Sequence, residues 1–385
     1  MSLLSGATAA RRWSGILKMD RETVIDRLNA RRFTDLRPEA VGPSVGWTTI
    51  HNLCDTDFDT EKCWFNQYLV LTMRRDTKRP PAKLVASLLE LRCKAWMAEA
   101  GRERVPAPVR AELKELLLLE LLPKTQPTIQ TADVIWDTVA HRLWLLSSSD
   151  SMADAMTALL ATTFQGDGVI ETVEAVHPLT ILNDGETDGW MDEPDLLAAL
   201  NATGPVQTEL TIWAEHPAQT WMVEAFLIWL WWMAATGEAA ILGGADRIDL
   251  YLGTAKMAAT GDSLLHARPA ARKMAVSALG FFAMNGERQY SGRIMHGLVL
   301  DKLVLPTEVH DGIDERIYER MFLLDELFDL VAREFRRFAR LRLDPGPDWP
   351  ATWAAIEAWL ADGDQKAHAE HVQDVLDRTQ EAARV

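Results

Sequence analysis

The run Ala225–Ala235, AFLIWLWWMAA, carries no charged side chain and is the most apolar stretch of the chain. A helix that is apolar all round is buried, and eleven such residues fall short of the roughly 20 needed to cross a bilayer. Residues 218–235 are therefore predicted to be a core helix, with Trp221, Trp229, Trp231 and Trp232 in or near it. The chain supplies a body to enclose it. Its 385 residues are 48% hydrophobic and 25% charged, an ordinary globular composition long enough for roughly two to three domains. Cys54, Cys63 and Cys93 form neither a CxxC pair nor a metal spacing, which predicts reduced thiols in a cytoplasmic protein. Arg11 and Arg12 stand where a signal peptide needs its apolar segment.

A formal net charge of −16 argues at first against a nucleic-acid partner. The charge is unevenly placed, however. Residues 1–142 hold 22 basic and 18 acidic side chains, residues 143–246 hold 16 acids and no Lys or Arg, and residues 247–385 hold 18 basic and 22 acidic. The middle block accounts for the whole net charge, and no polyanion should bind there. Within the first block, Arg74 to Lys114 carries 11 basic against 5 acidic residues. Such a run is either a solvated helical face or an electrostatic footprint for phosphates.

The periodicity predicts a helix over Asp20–Arg32 capped by Asp20, and a strand over Phe65–Met73. Pro80-Pro81 opens a helix with a Leu84, Leu88, Leu91, Ala95 stripe that ends near Ala100. Gly101, Pro106 and Pro108 break it, and a second helix runs to Leu122 before Pro123. The pair is a helical hairpin whose flanks carry Arg74, Arg75, Lys78, Arg79, Lys83, Arg92, Lys94, Arg102, Arg104, Arg110 and Lys114. Asp133–Trp136 and Leu143–Leu146 read as a β-hairpin, followed by a helix over Ser151–Phe164. Later come strand-like runs at Arg247–Leu252, Met274–Met284 and Ile294–Leu305. Helices fit Asp314–Arg340, Trp349–Leu360 and Gln365–Ala383, and Trp349, Trp353 and Trp359 suggest that the C-terminal part docks on the body. The arrangement is α+β, with two sheet-bearing parts and a helical insertion.

Catalytic motifs find little support. Asp55, Asp57 and Asp59 alternate and read either as nuclease carboxylates holding a metal or as an Asp-rich loop. Asp184-Gly-Glu186-Thr-Asp188-Gly189 with Asp195 reads as a degenerate calcium loop or a solvated acidic one. His368 and His371 are one turn apart with no third ligand evident. P-loop, G-x-S-x-G and H-E-x-x-H motifs are absent, and no cofactor is implied. Most of the fifteen tryptophans lie in apolar runs and read as core, with Trp47, Trp96 and Trp213 less plainly so.

The order of features resembles the bacterial recombination-associated RdgC family. Phe33-Thr34 and Gly46-Trp47 precede the Tyr68–Met73 strand and the basic two-helix hairpin. Leu121-Leu122-Pro123-Lys124, Trp136-Asp137-Thr138, Phe226-Leu-Ile-Trp229-Leu-Trp231 and Leu324-Asp325-Glu326-Leu327 follow. The resemblance implies a horseshoe-shaped subunit that closes into a ring-shaped homodimer with a basic lining. It also implies binding of double- and single-stranded DNA without sequence preference, restraint of RecA filaments and a nucleoid location. In that scheme residues 1–75 and 130–200 make a central α+β domain in two parts. Residues 76–129 are a protruding finger, 201–345 a second α+β base domain and 346–385 a C-terminal helical extension.

DNA would be held by Arg74, Arg75, Lys78, Arg79, Lys83, Arg92, Lys94, Arg102, Arg104 and Lys124, with Arg11, Arg12, Arg31 and Arg32 nearby. Thr125 and Gln126 stand where family members carry an aromatic plug for the dimer contact at the finger tip. No lysine for the second dimer contact is found near Gly243-Gly244. Two other readings remain open: an exonuclease, a label attached to this family, and an interaction scaffold that has lost DNA binding.

Overall fold

The computed structural model of the chain describes residues 3, 7–38, 42–164, 174–175, 218–236, 248–257, 263–264, 276–285, 288–306, 312–343 and 348–361. Helices and antiparallel strand pairs make the fold α+β. The chain divides into two compact units, one of Leu17–Thr138 with Ser151–Glu171, the other of Met1–Ile16, Val139–Asp150 and Thr172–Val385.

In the unit built on Leu17–Thr138, α1 (Arg21–Ala30) starts where Asp20 accepts from the Thr23 amide at 2.9 Å, as its capping residue type dictates. Strand β2 (Ser44–Thr48) pairs with β4 (Tyr68–Thr77), and β4 pairs with β5 (Thr128–Asp137) along ten rungs from Tyr68↔Asp137 to Thr77↔Thr128. A short helix α2 (Thr60–Cys63) leads into β3 (Trp64–Phe65), which folds onto β4. The single strand expected over Phe65–Met73 is thus two strands. Asn66 takes φ 51° between them, a left-handed conformation that asparagine tolerates in a tight turn.

Between β4 and β5 stand α3 (Ala82–Ala100) and α4 (Ala107–Leu121), the expected helical hairpin. Helix α5 (Asp150–Thr163) buries Met152, Met156 and Leu160. Just past its end, Phe164 meets Trp136 edge to face at 6.0 Å.

The other unit carries the strand order β6-β1-β12-β11-β10-β8-β9, with β7 on β1. Here β1 is Ala7–Ser14, β6 Arg142–Leu145, β7 Glu174–Ala175, β8 Ile248–Met257, β9 Ser263–Leu264, β10 Val276–Asn285, β11 Arg288–Met295 and β12 Val299–Val304. The run Ile294–Leu305 is divided between β11 and β12 by a turn in which Gly297 takes φ 73° and Leu298 φ 57°. Its helices are α6 (Ala218–Thr236), α7 (Ile313–Leu343) and α8 (Asp348–Ala361).

Helix α6 is the core helix that its composition requires, with every side chain from Met222 to Met233 buried. Phe226 meets Phe335 and Phe338 of α7 at 5.3 and 5.7 Å. From α8, Trp349 meets Phe338 and Trp359 meets Trp231. The predicted docking of residues 349–359 is therefore realised as an aromatic layer shared by three helices. No described helix is long and apolar enough to cross a membrane. The calcium-like loop, the 365–383 helix with its histidines, Trp213 and Gly243-Gly244 lie outside the described residues.

Strand β1 is absent from the sequence-based expectation, because adjacent arginines interrupt its apolar pattern. Arg12 is 5% exposed, its guanidinium 3.8 Å from the Phe328 ring centroid and 3.5 Å from Asp329. Arg11 bonds the Ser148 carbonyl and Asp150, both at 2.6 Å. These arginines hold their own unit together rather than standing ready for phosphates.

Candidate nucleic-acid interface

The hairpin grows directly out of the β4/β5 ladder. Thr77 and Thr128 form the last rung, so both helices are anchored at one end by paired backbone. Gly101, at φ 58°, ends α3 with its amide on the Met97 carbonyl, and the turn to Pro106 is the tip. The helices are joined by a small core of Val85, Leu89 and Leu117, with Leu88, Leu113, Leu118, Leu121 and Cys93 packed against it. Of the expected stripe Leu84, Leu88, Leu91 and Ala95, Leu88 packs against this core, whereas Leu84, Leu91 and Ala95 are exposed. Leucines on both faces of α3 leave periodicity alone unable to choose between them.

Thr125 and Gln126 lie at the root of the hairpin and not at its tip. The Thr125 hydroxyl donates to the Leu121 carbonyl at 2.8 Å, and β5 begins three residues on. The aromatic plug position inferred from the Leu-Leu-Pro-Lys run thus maps next to the sheet.

The cations of the basic run divide into two groups. Arg74 is buried on β4. Its Nε and Nη2 donate to the two carboxylate oxygens of Asp76 at 2.9 and 2.7 Å, Nη1 donates to the Leu53 carbonyl, and the guanidinium lies 4.1 Å from the Phe33 ring centroid. The bonds to Asp76 push its pKa further up, against the cost of burial. Arg75 is half-buried and donates to the Ser151 carbonyl at 3.2 Å. Lys78 bonds the Arg37 and Pro38 carbonyls. On the hairpin, Arg92 pairs with Glu120, and Lys94 pairs with Glu90 at 2.7 Å, which lowers the Glu90 pKa.

The remaining hairpin cations are different. Arg79, Lys83, Arg102, Arg104, Arg110, Lys114 and Lys124 are exposed, and among the described residues their side chains make no hydrogen bond or ion pair. Arg110 and Lys114 belong with this set although they are not among the ten residues expected to hold DNA. The charge run itself contained their signal. Arg31, expected nearby, donates to the Thr162 carbonyl at 3.2 Å.

The aspartates read as a possible metal site are arranged otherwise. Lys62 Nζ lies 3.2 Å from Asp55 and 3.8 Å from Asp59 and donates to the Asp57 carbonyl at 2.8 Å. Asp59 caps α2, and the Asp57 amide bonds Asp55, which holds the Asp55 carboxyl below its usual range with help from Lys62. Bonding to Asp55 in turn raises the Lys62 pKa. An ammonium therefore occupies the position a divalent ion would need. Among the described residues no group of three or more His, Cys, Asp or Glu is arranged to hold a metal.

Residues 11–184 match the family model described as "Putative exonuclease, RdgC". Over these residues, just under half of its length, the chain is similar to the RdgC family. No curated protein matches it. The match spans the hairpin, the β4/β5 ladder and α5, and Phe33, Gly46 and Trp47, three of the residues that carry the resemblance, meet in space there. Phe33 donates its amide to the Trp47 carbonyl at 2.8 Å, and a Cβ on Gly46 would lie 2.5 Å from the Phe33 Cα. Only glycine permits that approach. Trp47, whose place in the core is less plain from the sequence, is fully buried and donates its indole N–H to Thr163 at 2.9 Å. Trp47 is thus a core residue, while Trp96 on the hairpin is half-buried.

Proposed function

We propose that this chain binds DNA without sequence preference, through phosphate contacts made by the hairpin. The observation that supports this reading is the set of seven exposed hairpin cations without partners among the described residues. Unpaired Lys and Arg bind phosphate with release of counterions, each contact steepening the log–log salt dependence by about 0.9 on duplex DNA. Nothing in such contacts reads base identity. The stretch 143–246, with 16 acids and no Lys or Arg, does not compete for the same polyanion.

Family resemblance extends the proposal to a ring-shaped homodimer that encircles duplex DNA and modulates RecA-type recombination. Encirclement adds retention without strong contacts and suits an acidic protein. The exonuclease reading is weaker, because Lys62 bridges the aspartates that a metal would need.

The test is a salt series of mobility shifts on linear and circular duplexes of random sequence, with the mass in solution measured alongside. A dimeric mass, affinity that falls steeply between 50 and 200 mM salt, and preference for linear duplex are expected. Equal affinity at both salt concentrations overturns the reading. A monomer without any shift favours the scaffold, and metal-dependent loss of labelled DNA that Asp55→Ala abolishes favours the nuclease.

A further inference from the structure

Between α3 and α4 runs a groove of about 970 Å³ whose chemistry does not match DNA alone. Val85, Leu89 and Leu122, all buried, lie at its base, and Leu118 and half-exposed Leu119 continue it outward. No aromatic ring lines it. Single-stranded nucleic acid uses aromatic faces to stack its bases, and a duplex backbone needs cations but no aliphatic floor. The rim, in contrast, is strongly basic: Lys78, Arg79, Arg110 and Lys114 line it against one acid, Glu115. Arg79, Arg110 and Lys114 make no side-chain hydrogen bond or ion pair among the described residues.

An aliphatic trough with a cationic rim complements a ligand that is apolar on one face and acidic on the other. We propose that this groove docks an acidic amphipathic helix from a partner protein. The partner's apolar residues at i, i+3, i+4 and i+7 would enter the trough, and its carboxylates would meet Arg79, Arg110 and Lys114. Arg79, Arg110 and Lys114 serve both readings, but the two are separable because Lys83, Arg102, Arg104 and Lys124 do not line the groove while Ala111 and Leu119 do.

The experiment uses the full chain and a labelled synthetic peptide of about 16 residues, long enough for the i to i+7 pattern, with leucines on one face and glutamates on the flanks. A control peptide of equal charge carries glutamine for each leucine. Anisotropy should show the control binding at least about tenfold more weakly, since each leucine loses its buried area. Leu119→Gln, at a half-exposed position that tolerates change, should weaken the leucine peptide about tenfold and leave duplex DNA affinity within about twofold. Ala111→Gln, also on the groove, should do the same. Lys83→Glu with Arg102→Glu should show the reverse pattern. Equal binding of the two peptides overturns the proposal, as does unchanged peptide affinity in both groove variants. DNA affinity lost in step with peptide affinity would assign the groove to DNA. A dimer that becomes monomeric in Leu119→Gln would assign it to a second copy. Failure of the DNA reading alone would appear as peptide binding by a chain that shifts no DNA.

Discussion

The basic run that marks this chain meets two opposite fates within a few residues. At the end of β4, Arg74 is buried, bonded twice to Asp76 and stacked on Phe33. On the hairpin that follows, Arg79 and Lys83 are exposed and unpartnered among the described residues. Both belong to one basic run, yet only the second group is open to a phosphate. The strand buries one face against the sheet core, so a cation there must bring its own counterion. The two-helix hairpin has too small a core to bury its cations, and they remain in water.

Four measurements sharpen or break this contrast. Arg74→Ala leaves the carboxylate of Asp76, which is 1% exposed, without its counterion. It should cost about 3–5 kcal/mol of stability in urea unfolding. A loss under about 1 kcal/mol would show that Arg74 acts at the surface after all. Reversing Lys83, Arg102, Arg104 and Lys124 together should leave stability nearly unchanged. It should weaken duplex binding about a hundredfold and flatten the log–log salt slope by about 3.6. An unchanged slope would remove these residues from the interface.

A third case lies in α7, where Glu334 is 3% exposed and lies 3.8 Å from Arg337. Burial pushes its carboxyl up to about 7. The folded state then keeps this proton to higher pH than the unfolded chain, so stability should fall as pH rises from about 4.5 to about 7. Glu334→Gln should abolish that component and gain about 2 kcal/mol at pH 8, and an identical pH profile for both proteins would refute the assignment. The smallest effect belongs to Arg92→Ala, which breaks a surface pair with Glu120. A change within about 0.5 kcal/mol and about twofold in DNA affinity is expected.

Much of the architecture was legible from local chemistry. Capping by Asp20, the core helix around Trp229 and the Gly/Pro break between α3 and α4 each follow from one residue type doing what its side chain requires. What escaped depended on neighbours distant in sequence. Strand β1 needed Phe328 and Asp329 to accept Arg12, and Arg74 needed Phe33 and Asp76 to leave the surface. The packed face of α3 was equally hidden, because its leucines point both ways and only α4 decides. Of the ten proposed DNA-binding positions, Arg79, Lys83, Arg102, Arg104 and Lys124 retain open charge, while the charge run also held Arg110 and Lys114.

The closing rung of the β4/β5 ladder has a topological consequence. Because Thr77 and Thr128 face each other directly, residues 78–127 are a detour that the sheet does not require. A two-residue turn joining those threonines would complete an ordinary β-hairpin. Shortening the loop would also relieve the chain of closure entropy on the order of 2–3 kcal/mol. The basic hairpin is thus an appendage that can be excised, transplanted or exchanged as one cassette while the host sheet retains its register.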